Sequence, residues 1–178
     1  NKINCPTPLK TKEGLSVINV KNKPCSIFTL LPGKTISKNT PSISMCKQIG
    51  TIIGKIHNCS EKFKRFDLGL RNNDWFISTS KKLETVLNIE DIKLIKKEIE
   101  NLIYCTDRGL PSGVIHSDLF RDNAMFLDNK LTGVIDFYYA CNGYFLYDLA
   151  IIINDWCLNE DLKIDLKKQD ALIEYYNK

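Results

Sequence analysis

The stretch that most restricts what this chain can fold into is residues 114–137, VIHSDLFRDNAMFLDNKLTGVIDF. It places His116, Asp118 and Asn123 in an H-x-D-x-x-x-x-N pattern, follows them with two short apolar runs, and ends on a second carboxylate, Asp136. Ala124-Met125-Phe126-Leu127 and residues 131–135 have the apolar character of strands, and Asp128-Asn129-Lys130 between them is turn-forming. Closing that hairpin brings Asn123 and Asp136 to the same end of it. A short strand, Val114-Ile115, precedes the motif and leaves Asp118 on a loop. Taken singly, an Asp or Asn in a loop is more often a turn former or a helix cap than a ligand. The combination shifts the balance, because a carboxylate closing an apolar strand is costly without a partner.

Those residue types suit phosphoryl transfer. A transferring phosphate spreads negative charge over its oxygens, so catalysis rests on positioning and on neutralisation by metal ions and cationic groups. Asp118 is the candidate base for an alcohol proton. Asn123 offers a neutral amide oxygen to Mg2+, and Asp136 an anionic one that bridges metal to phosphate. His116 is expected to be a hydrogen-bonded scaffold for the loop, since the attacking hydroxyl needs one base.

HSDLFRDNAMF, GVIDFYYACN and YDLAIIINDWC together resemble the homoserine kinases of the aminoglycoside phosphotransferase and choline kinase-like superfamily. Leu31-Pro32-Gly33 and residues 71–75 extend the likeness along nearly the whole chain. The resemblance implies an α+β, protein-kinase-like two-lobed fold, mostly the helical C-terminal lobe with part of the N-terminal β lobe and the hinge. It implies ATP as co-substrate, L-homoserine as acceptor and O-phospho-L-homoserine as product, a step toward threonine. Kinases for choline, aminoglycosides or methylthioribose, and a non-catalytic binding module on the same fold, are the alternatives. By the same likeness residues 1–33 are the remainder of the β lobe and hinge, and residues 34–178 the catalytic lobe. Members of the superfamily are longer. The chain starts at Asn1, and no glycine-loop segment or strand lysine precedes Cys5-Pro6-Thr7-Pro8, so a fragment is expected.

Composition narrows the partners. A net charge of +4 is spread over many lysines. Lysines such as those in residues 93–97 alternate with apolar side chains, which reads as a solvated helix face rather than a nucleic-acid site. No apolar run reaches the length of a membrane span. Seven cysteines without a C-x-x-C pair point to reduced thiols and a cytoplasmic protein, and two histidines make a zinc site improbable.

In chain order, residues 15–20 and 26–31 read as two strands joined by a turn at residues 21–24. The second leads into Leu31-Pro32-Gly33, the hinge by resemblance, with Thr29, Leu30 and Leu31 as nucleotide-pocket candidates through their backbone groups. Thr40-Pro41 predicts an N-cap and first helical position, followed by Met45, Ile49, Ile52, Ile53 and Ile56 at helical spacing. His57 at the end of that helix is expected to cap or pack. Two helices follow, marked by Trp75, Thr79, Leu83 and Val86, then by Ile92, Ile95, Ile99, Leu102 and Ile103. Residues 137–145 read as a short aromatic loop suited to a small acceptor. Asp148 opens a helix as an N-terminal carboxylate that also ties down the catalytic loop. An amino-acid acceptor needs an acidic or aromatic face and a cation. Asp155, Trp156 and Tyr138 are the candidates for the first, Arg121 and Arg71 for the second, and by resemblance Arg71 and Trp75 lie near the acceptor side. Residues 161–178 read as a loop and the start of a truncated helix.

Overall fold

The computed structural model describes residues 3–36, 40–60, 63, 66–70, 72–106 and 108–178. In chain order, strands β1 (Ile18–Val20) and β2 (Lys23–Cys25) are followed by helices α1 (Ile43–Cys59), α2 (Asn73–Leu83) and α3 (Ile89–Thr106), strands β3 (Ser112–Ile115), β4 (Ala124–Leu127), β5 (Lys130–Val134) and β6 (Cys141–Tyr144), and helices α4 (Phe145–Trp156) and α5 (Leu166–Tyr176). Two compact units result: Asn1–Lys55, Leu119–Asp136 and Ile152–Lys178 form one, Ile56–Asp118 and Phe137–Ile151 the other.

In the first unit, β1 and β2 form an antiparallel hairpin whose turn is only Lys21-Asn22, both at positive φ (50° and 61°). That is the twist a two-residue hairpin turn requires. The second strand therefore starts earlier than the sequence predicts, at Lys23. Residues 26–31 do not pair with residues 15–20. They bridge to residues 7–9 instead, through Leu9 N–H to Ile27 O at 2.8 Å and Thr29 N–H to Thr7 O at 3.0 Å. The chain just after Leu31-Pro32-Gly33 is stitched to β4 by two 2.9 Å bonds between the backbones of Lys34 and Phe126. Gly33 makes this approach possible: its φ is +105°, and a Cβ there would sit 2.2 Å from Phe126 O.

The β4–β5 hairpin closes on Asp128-Asn129, at φ 48° and 61°, with Ala124 opposite Val134 and a register shift between Met125 and Phe126. Its turn is one residue shorter than predicted. Gln48 of α1 clamps the tip, accepting from Leu131 N–H at 2.8 Å and donating to Asn129 O at 2.9 Å.

Helix α1 is capped by Ser42, whose hydroxyl accepts from Met45 N–H at 3.2 Å, and not by Thr40. Proline at position 41 lies before the cap, where it removes no helical bond. The predicted apolar stripe is buried from Met45 to Ile56. On another face α1 meets α5 backbone to backbone, a contact with no counterpart in the sequence pattern. A Cβ on Gly50 would lie 2.2 Å from Leu172 O, and one on Gly54 2.8 Å from Tyr176 O. Helix α5 is a capped element in its own right: Asp165 accepts from Lys167 N–H at 2.9 Å and Lys168 N–H at 3.3 Å. Alanine is a better helix former than glycine by about 1 kcal/mol. Gly50→Ala is nevertheless expected to destabilise the protein by about 1–3 kcal/mol, because backbone atoms cannot repack around the added methyl. Urea denaturation reads this, and a variant as stable as the parent would contradict the close α1–α5 packing.

In the second unit β3 pairs antiparallel with β6, Gly113 opposite Gly143. The expectation of a loop over residues 137–145 is corrected here. Only Phe137–Tyr139 is a tight helical turn, and Cys141–Tyr144 is a strand. No local alternation announces β6, because its partner is distant in sequence and Gly143 is needed to pass Ile115, whose Cδ1 lies 2.4 Å from the site of a Cβ. Asn72 caps α2 by accepting from Trp75 N–H at 3.0 Å, and Asn88 caps α3 through Glu90 N–H at 3.0 Å and Asp91 N–H at 2.9 Å. Val86 lies beyond the end of α2. Among the described residues no helix is long and apolar enough to cross a membrane. All seven cysteines are free thiols.

Candidate active site

Strand β3 delivers the chain to His116, Ser117 and Asp118 in the second unit. His116 is fully buried, and Ser117 is nearly so and left-handed, at φ 66°. A non-glycine residue in that region persists only where its surroundings over-determine it. They do so through Asp148, whose buried carboxylate accepts from His116 N–H at 2.8 Å and Ser117 N–H at 2.7 Å. The same carboxylate accepts from His57 Nε2–H at 3.0 Å. His57, on α1, stacks on Phe145 with ring centroids 4.2 Å apart and planes within 10°. His116 packs against Phe137 at 4.6 Å. The loop is thus tied to α4 by charge-assisted bonds to its own backbone, and Asp148 is braced by a histidine 91 residues away in sequence. Local sequence carries no signal for that pairing. Burial pushes the Cys141 thiol above its ordinary range, the Asp148 and Asp67 charges add to this, and a hydrogen bond with Ser117 opposes it. Beside the loop, therefore, is a neutral thiol.

Asn123 and Asp136 belong to the first unit. Asn123 ends the tight turn Arg121–Asn123 and is nearly buried. Its carbonyl accepts from Ile135 N–H at 2.9 Å, so the hairpin ladder runs on past Ala124 and Val134 and places Asn123 and Asp136 at one end. Asp136 is left-handed at φ 61°, turning the chain sharply as the strand ends. Among the described residues no group of three or more His, Cys, Asp or Glu could hold a metal ion by itself. An Asn oxygen with one carboxylate is the partial protein set that Mg2+ accepts when phosphates and water complete its shell.

Several acceptor candidates lie elsewhere than expected. Arg121 and Asp155, predicted to hold opposite ends of a substrate, hold each other: Asp155 accepts from Arg121 Nε–H at 3.0 Å and from Arg121 N–H at 2.7 Å. Trp156 is fully buried, its indole N–H donating to Leu119 O at 3.0 Å, and it packs near Phe126. Both pairs pin the chain just after Asp118, since the end of α4 is apolar enough to be core. Tyr138 is 75% exposed against Tyr139, and Trp75 is 41% exposed against Phe76. Arg71 lies outside the described residues. Thr29 accepts from Thr7 N–H through its hydroxyl, and Leu30 is 93% exposed. Leu31 lies by Gly133, its Cδ1 2.8 Å from the site of a Cβ there.

The second unit contains a cavity of about 640 Å³ between α2, α3, the β3–β6 pair and the start of α4. Ser117 lines it, and so do Asp74 and Glu98, neither of which stands out in the sequence. Neither Trp75 nor Tyr138 is part of its wall.

The chain matches the phosphotransferase enzyme family over residues 1–177. It is similar to the homoserine kinase of Methylobacillus flagellatus, 36% identical over 175 residues, covering 98% of this chain and 54% of that protein. The homoserine kinase of Azorhizobium caulinodans is 35% identical over 183 residues, covering 99% of this chain and 55% of that one. The chain thus spans about half the length of the curated relatives it matches. Among solved structures, an amicoumacin kinase in complex with AMP-PNP, Ca2+ and Ami superposes with a TM-score of 0.71 at 14% identity, over 98% of this chain and 56% of that one. An ADP-bound aminoglycoside phosphotransferase, APH(2'')-Ib, gives 0.63 at 18% identity, over 98% and 60%. At such identities the likeness speaks for the fold, which is kinase-like. A family match over nearly every residue, on a fold that carries His116, Asp118, Asn123 and Asp136 in loop and hairpin, makes this chain a member of the phosphotransferase enzyme family.

Proposed function

We propose that the protein transfers the γ-phosphoryl group of ATP to the hydroxyl of L-homoserine, giving ADP and O-phospho-L-homoserine, in the cytoplasm. The observation that carries this is the match to homoserine kinases at about 35% identity across nearly the whole chain. Asp118 accepts the proton of the acceptor hydroxyl as its oxygen bonds to phosphorus, and the bond from phosphorus to the ADP oxygen breaks. Asp148, through the amides of His116 and Ser117, holds the loop that presents Asp118. Asn123 and Asp136 hold Mg2+, which neutralises phosphate charge when bound. The extended backbone at Thr29, Leu30 and Leu31 receives the adenine, and the lobes divide at Gly33.

ADP release by the intact protein with Mg-ATP and a panel of alcohols tests this. Release that depends on L-homoserine is expected. Release with choline, an aminoglycoside or methylthioribose in its place would keep the chemistry and overturn the acceptor.

A further inference from the structure

Asn123 reaches the end of the hairpin through the tight turn Arg121–Asn123, and a single turn of this kind has few bonds of its own. Its end is fixed locally: Asn123 N–H donates to Phe120 O at 3.0 Å, and Asn123 O accepts from Ile135 N–H at 2.9 Å. Its start is different. Phe120, at the cap position, makes no side-chain hydrogen bond to the turn, so the first amide needs an acceptor from elsewhere. That acceptor is 34 residues away in sequence: Asp155 takes Arg121 N–H on one oxygen at 2.7 Å and Arg121 Nε–H on the other at 3.0 Å. The side chains of Asp155 and Arg121 are 16% and 29% exposed, so salt and water screen the pair less than they would a surface pair. Beside it, the Trp156 indole holds Leu119 O at 3.0 Å.

For α4 itself Asp155 is a misplaced charge. It lies in the last turn, where the helix dipole disfavours a carboxylate, and that turn, Ile153-Asn154-Asp155-Trp156, holds no basic residue to offset it. What the carboxylate serves is the turn that ends on Asn123.

We propose that Asp155 is a positioning residue for Mg2+: by capping Arg121 it fixes the turn, and so keeps the Asn123 amide oxygen at the end of the hairpin shared with Asp136. This rests on the phosphotransfer reading above, in which Asn123 and Asp136 hold the metal. Asp155 acts through the backbone of Arg121.

The test is calorimetric titration of ADP into the intact protein at stepped Mg2+ concentrations, alongside the Mg2+ dependence of turnover with ATP and L-homoserine. In Asp155→Ala the Mg2+ concentration that half-saturates ADP binding is expected to rise about 10–100-fold, the usual cost of losing a group that orients a metal ligand. ADP binding without Mg2+ stays at the parental level, and turnover recovers as Mg2+ is raised. Asp155→Asn keeps an acceptor for the Arg121 amide and is expected to shift less. Gly50→Ala separates positioning from stability, since it weakens the same unit at the α1–α5 packing and should keep the parental Mg2+ dependence. A parental Mg2+ requirement in Asp155→Ala, or an equal shift in Gly50→Ala, overturns the assignment. So does ADP binding by the parent that is indifferent to Mg2+. A parent that binds Mg-ADP and phosphorylates no alcohol sinks the phosphotransfer reading alone, and the calorimetric shift in Asp155→Ala then still supports the positioning role.

Discussion

Replacing Asp118 by Asn is expected to lower turnover by about 10²–10⁴-fold, the usual contribution of a positioned general base. The KM for ATP should change little, because the substitution is isosteric and touches no group assigned to the nucleotide. Its geometry should also survive. The backbone of the loop is held at His116 and Ser117 by Asp148. A loss confined to kcat is the signature of an interaction made only in the transition state. Steady-state ADP release with saturating Mg-ATP measures it, and an unchanged turnover would remove Asp118 from the mechanism.

Asp148→Ala is expected to be the most damaging substitution for stability. It removes a fully buried carboxylate and leaves the amides of His116 and Ser117, together with His57, without the acceptor they share. Breaking a buried pair by deleting one partner costs about 3–5 kcal/mol. Each orphaned amide contributes about 1–3 kcal/mol to such a loss. Against a total of about 5–15 kcal/mol for a typical protein, that is a large fraction. The left-handed Ser117 would also be free to relax, displacing Asp118. Thermal denaturation should show a fall in Tm on the order of 10 °C. Turnover of the variant, measured below its Tm, should fall as well. A variant as stable as the parent would mean that these short bonds contribute little. One that is destabilised yet fully active would mean that they hold the fold without holding the loop.

The helices α1, α2 and α3 and the β4–β5 hairpin are legible in the sequence because each rests on local rules. Apolar residues three and four apart bury one helix face, and Asp128-Asn129 between two apolar runs closes a hairpin. The hairpin in turn makes Asn123 and Asp136 neighbours by pattern alone, since a closed ladder puts its two ends together. Boundaries slip where two local signals compete. Thr40 and Ser42 both resemble caps, and only Ser42 reaches the Met45 amide. Either two or four residues at 21–24 make a plausible turn, and the pairing of Pro24 with Asn19 settles on two.

Contacts between distant residues leave no such trace. Strand β6 exists because β3 lies beside it and Gly143 lets Ile115 close in. Gly50 and Gly54 look like ordinary helix-weakening glycines until α5 packs on them. Arg121 and Asp155, which by type suit an amino-acid substrate, satisfy one another instead. His57 by itself is an unremarkable residue near a helix end, and its bond to Asp148 arises only when residues 91 apart meet in a buried place. Residue type and spacing report what a segment does with its own neighbours, and so name Asp118, Asn123 and Asp136. Which groups brace them, and which carboxylates face the cavity, depends on partners brought in from afar, where burial and hydrogen-bond satisfaction choose among side chains of equal promise.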